Sequence, residues 1–178
     1  MRRYAEDSWE IDLAKGWTAA PEEECVAITK SNDSGALQIS SYHKPEGAIS
    51  REELLESTDC DAEAQRHLKE NVWGDFAGFH LAYSEDDAYW RMWWLASGRT
   101  LLFLTYNCDL ARKDDEKKDI DQMVGSLRAK GRTKRGRHRY CDGSSPAGKN
   151  GDAALLAPKE LLSLSFRPGR SRRPPDSE

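Results

Sequence analysis

The chain has 178 residues, 38% of them hydrophobic and 33% charged, with a formal net charge of −4. That average conceals a division: residues 1–131 carry 16 Lys+Arg against 26 Asp+Glu, a net of −10, whereas residues 132–178 carry 11 against 5, a net of +6. The apolar runs at 92–96 and 101–104 fall far short of the ~20 residues of a spanning helix, and no apolar stretch follows the basic start MRRYAEDSWEID, so neither a membrane span nor a Sec signal is expected, and the cytoplasm is the expected compartment.

The first element is WEIDL at 9–13, where Trp9, Ile11 and Leu13 alternate with Glu10 and Asp12 in the pattern of a half-buried strand. Ala14, Lys15 and Gly16 turn the chain. After the polar stretch 21–24, CVAITK forms a second strand with Val26 and Ile28 on one side and Cys25 as a small core residue. The turn residues 31–35, SNDSG, lead to a third strand with Leu37 and Ile39 facing inward.

Pro45 and Gly47 break the sheet. Ser50 then stands three residues before Glu53, the spacing of a capping box. It opens a helix over about 51–69, with a weak point at 57–61 where helix propensity is poor. A fourth strand, GDFAGFHLAY, ends in the turn 84–87. A fifth, AYWRMWWLA, is joined by Ser97-Gly98-Arg99 to a sixth, TLLFLTYN. A second helix is expected over about 115–130, with Ile120, Met123, Val124 and Leu127 on one face, acids at its start and Gly131 as its stop.

The fifth and sixth strands are apolar on both faces. Even positions of the fifth are Trp90, Met92, Trp94 and Ala96; odd positions are Tyr89, Arg91, Trp93 and Leu95. Side chains alternate across a sheet, so both sides need cover, from the two helices or from one helix and the N-terminal segment. The expected architecture is an α+β fold: an α/β/α sandwich with a mainly antiparallel sheet of about six strands and two main helices. The domain closes near residue 131, and 132–178 read as a basic, disordered extension rich in Gly, Pro, Ser and Arg.

This order of elements resembles the Mog/PsbP-like α/β/α sandwiches, and small bacterial proteins of that type, over about residues 5–131. The residues that carry the likeness are Trp9, Gly16, Trp17, Leu37, Ile39, Gly74, Phe76, Gly78, Trp93, Tyr106, Asn107 and the Ser126-Leu127-Arg128 end. These motifs are structural. The resemblance implies the roles known in that superfamily: a nuclear-import factor that binds a small GTPase, an extrinsic photosystem subunit, bacterial lipoproteins. The last two carry export signals that this sequence is expected to lack. By fold analogy a non-enzymatic binding or accessory role is expected.

Three chemistries compete with that expectation. Tyr89, Arg91 and Trp93 share a face, and a guanidinium beside aromatic rings makes a recognition surface; the competing account is that the tryptophans are sheet core and Arg91 pairs with an acid. Cys108, with His43 and His80 on other strands, would serve a thiol-dependent hydrolase only if the groups converge and the thiol is activated. The basic run Arg132, Lys134, Arg135, Arg137 and Arg139 would bind nucleic-acid phosphates without sequence preference. Cys25, Cys60, Cys108 and Cys141 form no CxxC pair and have no histidine at ligand spacing. The acidic runs at 22–24, 85–87 and 114–116 lack the glycine and spacing of a calcium loop and read as solvated turns and a helix start. No metal, cofactor or catalytic residue is expected. The partner is expected to be another protein, as for a bacterial immunity protein whose acidic body masks a basic surface.

Overall fold

The computed structural model describes residues 2–31 and 35–131. The expected extension at 132–178, and the centre of the turn expected at 31–35, lie outside the described residues. The fold is α+β and mostly antiparallel, but it holds two sheets, of seven and three strands, in place of one sheet of six.

The large sheet is built from β3 (Trp17–Pro21), β4 (Val26–Lys30), β5 (Gly35–His43), β6 (Lys69–Trp73), β7 (Phe76–Glu85), β8 (Ala88–Ser97) and β9 (Thr100–Asp109). Its order is β3-β4-β5-β9-β8-β7-β6, and every neighbouring pair is antiparallel. The two apolar strands read from the sequence, β8 and β9, lie inside the sheet, where continuous apolar runs belong. The small sheet pairs β2 (Trp9–Leu13) with β1 (Arg2–Ala5) on one side and β10 (Arg128–Ala129) on the other. The alternation of WEIDL therefore describes a strand of the cover, not of the main sheet. Trp9, Ile11 and Leu13 point into the core, while Glu10 and Asp12 face Arg3 and Arg128 outside.

Both expected helices are shorter than their periodicity predicts. The capping box forms: the Glu53 amide donates to Ser50 Oγ at 3.2 Å and the Ser50 amide to Glu53 Oε2 at 2.8 Å. Yet α1 (Arg51–Glu56) stops after six residues. Ser57 and Thr58 turn their hydroxyls back onto the carbonyls of Leu54 and Leu55, at 2.7 and 2.8 Å, and Asp59 enters the left-handed region at φ 49°. Such back-bonding competes with the helix ladder. Asp61 then caps a separate turn, α2 (Ala62–Gln65), by accepting from the Glu63 and Ala64 amides. Of the expected helix beyond Gln65, Arg66 and His67 form a turn and Lys69 opens β6. At the other end, α3 (Lys117–Gly125) is helical, and Leu127 and the residues after it run on into β10.

One face of the large sheet is sealed. Trp93 and Leu95 of β8, Leu102, Leu104 and Tyr106 of β9, and Leu37 and Ile39 of β5 pack against β2 and against Ile120, Met123, Val124 and Leu127. Polar pins hold α3 in place. Asp119 accepts from Trp17 Nε1 at 2.9 Å and from Lys30 Nζ at 3.3 Å. Ser126 Oγ accepts from the Asp12 amide at 2.9 Å. Tyr106 donates its hydroxyl to Glu116 at 3.1 Å, and Glu116 is 1% exposed. The run 114–116, expected as the start of the second helix, thus ends in a buried carboxylate.

Candidate functional site

The odd-numbered side chains of β8 lie on the sealed face. Trp93 is fully buried and Arg91 is 8% exposed. Arg91 has its guanidinium 4.7 Å from the centre of the Trp93 ring and donates Nη2 to Asp121 of α3 at 2.5 Å; its Nη1 is buried with no hydrogen-bond partner among the described residues. His80, the cross-strand neighbour of Trp93, lies 5.0 Å from that ring, and Trp73 lies 6.2 Å beyond it. Burial first, and then the charges of Arg91 and Lys69, push the His80 imidazole down to about 4. The row Trp73, His80, Trp93, Arg91 holds a neutral ring beside a paired cation beneath a helix. Tyr89 stands at the end of the same face, partly buried and packed against the core.

The structure does not assemble the thiol, imidazole and carboxylate of a hydrolase. Cys108 pairs with Gly35 at one end of β5, and His43 pairs with Thr100 at the other, roughly 25 Å apart at the rise of a strand. His43 Nδ1 instead lies 3.3 Å from Thr100 Oγ1. His80 is on β7, separated from β5 by β9 and β8, at the level of Trp93. Cys108 is buried, and burial pushes its thiol above the ordinary range, against the opposing hydrogen bond with Tyr106. Cys25, expected in the core, is only partly buried; burial and Glu22 push its thiol up to about 11. Among the described residues no group of three His, Cys, Asp or Glu side chains could hold a metal ion.

Among the described residues, the opposite face of the sheet is roofed over only part of its length. The cross-strand register places its side chains in rows. The row Phe79, Trp94, Phe103 is buried under α1, whose Leu54 is itself buried and whose Arg51 lies 5.3 Å from the Phe79 ring. The next row, Leu81, Met92, Thr105, Gln38, contains no buried residue, nor does the row Tyr83, Trp90, Asn107, Ala36. Tyr83 and Trp90 stack at 6.5 Å with their planes 10° apart. The last row is Glu85, Ala88, Asp109, with both acids exposed. Asp86 and Asp87 form the hairpin tip beside it, and the Leu110 amide donates to the Asp87 carbonyl at 2.7 Å.

Full cover on both sides of β8 and β9 was expected, with Trp90, Met92 and Trp94 together under a helix. Only Trp94 is. A helix of six residues spans ~9 Å, too little for strands of ten. The accessible aromatic of the cluster is therefore Trp90, and its partner Tyr83 comes from a strand whose sequence reads as ordinary alternation. Nothing in the sequence singled out Tyr83; the back-bonding potential of Ser57 and Thr58 was the available sign that the roof would be short.

No family model and no curated protein matches the sequence. Among solved structures, a crystal structure from Bacteroides thetaiotaomicron is similar, with a TM-score of 0.51 at 11% identity over 69% of this chain and 45% of its own. This chain thus spans less than half the length of that protein. The cyanobacterial PsbP (CyanoP) of Synechocystis has a TM-score of 0.39 at 14% identity, over 72% of this chain and 92% of its own. LpqN of Mycobacterium tuberculosis, involved in cell envelope biogenesis, has 0.45 at 12%, over 69% and 83%. At these identities, what the Bacteroides structure shares with this chain is its fold.

Proposed function

We propose that the domain is a cytoplasmic, non-enzymatic protein-binding or accessory module of the Mog/PsbP-like sandwich type. Its sharper form is a bacterial immunity-type protein, whose acidic body covers a basic surface of its partner by charge complementarity. The observation that carries this reading is the unroofed end of the large sheet, with an aromatic pair and exposed acids on it, on a body of net −10. The burial and raised pKa of Cys108 support a non-enzymatic role over a thiol-dependent hydrolase, because the thiolate is the nucleophile. The test is affinity capture of the tagged full chain from its native host, with chemical cross-linking. One basic protein recovered in stoichiometric amount is the expected result; recovery of no stoichiometric protein overturns the reading.

A further inference from the structure

The binding reading leaves open where a partner sits and what it must look like. Three observations at the open end of the sheet narrow both. First, the aromatic shelf is preformed: Tyr83 and Trp90 are already stacked in parallel on adjacent strands inside a seven-stranded sheet. Little side-chain freedom is lost when something settles on it. Second, its polar boundary has one sign. Glu85 and Asp109 lie on the same face in the adjoining row, and Asp86 and Asp87 sit at the hairpin tip. None of these four carboxylates forms an ion pair with another described residue. Several other acids are paired: Asp12 with Arg3 and Arg128, Asp119 with Lys30, Asp121 with Arg91, Glu70 with Arg51. Third, the nearest alternative for strand addition is blunted. On the edge strand β6, Val72 is 62% exposed, but its amide already donates to its neighbour Asn71 Oδ1 at 2.8 Å, and Lys69 and Glu70 charge that edge.

We propose that the shelf formed by Tyr83, Trp90 and Met92, flanked by Glu85 and Asp109, receives a segment of a partner protein in which arginine or lysine alternates with apolar side chains. The apolar side chains cover the Tyr83, Trp90 and Met92 surface, and the cations reach Glu85 and Asp109 at its margin. A guanidinium over Trp90 is favoured twice, by the ring face and by the carboxylates beside it. An acidic or a purely apolar segment gains only one of these terms or is repelled.

This inference rests on the protein-binding reading, and the experiment separates the two. The probe is a fluorescein-labelled peptide of alternating Arg and Leu, with a Glu and Leu peptide as control, titrated by anisotropy against the full chain. The expected result is saturable, salt-sensitive binding of the Arg peptide and none of the Glu peptide. Trp90→Ala, and the double change Glu85→Gln with Asp109→Asn, should each weaken it tenfold or more. Val72→Ser, on the edge strand β6 and outside the shelf, should leave it within a few fold. Equal denaturation midpoints guard against loss of fold. No binding of the Arg peptide, or binding that Trp90→Ala and the charge variant leave unchanged, overturns the proposal. A host partner captured equally by the Trp90→Ala chain refutes this surface and leaves the binding reading standing. Peptide binding through Trp90 with no host partner recovered does the reverse.

Discussion

Arg91 and Asp121 hold α3 to the sheet across an aromatic row: the guanidinium is buried over the Trp93 ring and reaches the carboxylate at 2.5 Å, while Asp121 itself remains half in solvent. The pair answers the question that an arginine within an aromatic strand raises. A charge there must find a partner or reach water, and the partner comes from the helix that closes the core.

The two halves of this pair should respond differently to removal. Asp121→Ala leaves the cation buried and uncompensated, and is expected to cost about 2 kcal/mol, below the usual range for a fully buried pair because Asp121 is solvent-screened. Arg91→Met removes the charge and fills similar volume, so it should cost less, under about 1 kcal/mol. Urea unfolding of both variants checks the order. Equal costs would mean that the contact is worth only its packing.

Two turn glycines offer a contrast, Gly74 between β6 and β7 and Gly98 between β8 and β9. Gly74 lies at φ +61°, and a Cβ there would come within 1.9 Å of the Leu127 carbonyl oxygen, beside the hydrogen bond from the Asp75 amide to that same oxygen. Gly98 lies at φ +56° with nothing within 4 Å. Gly98→Ala is expected to cost only the left-handed penalty, about 1 kcal/mol. Gly74→Ala adds a backbone clash that only separating the turn from Leu127 relieves, and should cost at least about 3 kcal/mol. Thermal unfolding of the two variants decides it, and comparable losses would refute the close approach.

His80 makes stability depend on mild acid. Its folded pKa, about 4, lies below the ordinary 6.5, so between those values the unfolded chain binds a proton that the folded chain refuses. Stability from this group is complete above 6.5 and falls as pH drops toward 4. His80 keeps some solvent contact, so the loss is discounted to about 1–2 kcal/mol. His80→Leu should flatten the unfolding free energy across that window while lowering or raising it uniformly. The lowered carboxylates Asp12, Glu53 and Glu70 lose stability in the same direction but only near and below their unfolded values, so the stretch above about pH 5 reports His80. A slope that persists in His80→Leu places its origin in another group.

Thiol reactivity tests the enzymatic alternative. Burial raises both Cys108 and Cys25, so at neutral pH each is expected to react with iodoacetamide more slowly than a free thiol peptide, and to catch up in urea. Peptide mass spectrometry resolves the sites. Faster labelling of Cys108 in the folded chain would restore it as a candidate nucleophile.

Much of the local structure is written in the residues themselves. The alternation of Trp9, Ile11 and Leu13, the capping box of Ser50 and Glu53, the hairpin at Gly98 and the apolar face of Ile120, Met123 and Val124 are each signalled within a few positions, because each rests on hydrogen bonds and side-chain periods of short range. The strands β6 and β10 left no such mark. KENVW lies on a sheet edge with most of its side chains in water, so no burial imposes an alternating pattern on it, and two residues at Arg128 are too few to show a period at all. Which face of the tryptophan strand would be closed was likewise beyond the reach of periodicity. Alternation tells that both sides are apolar, but the closing depends on how far a distant segment extends over them, and that length was decided where Ser57 and Thr58 turned the chain out of its helix. The sequence determined the central strands and their apolar sides; the tertiary structure alone decided that Trp93 would be sealed and Trp90 left in reach of solvent, because burial belongs to the pair of surfaces that meet and not to either one.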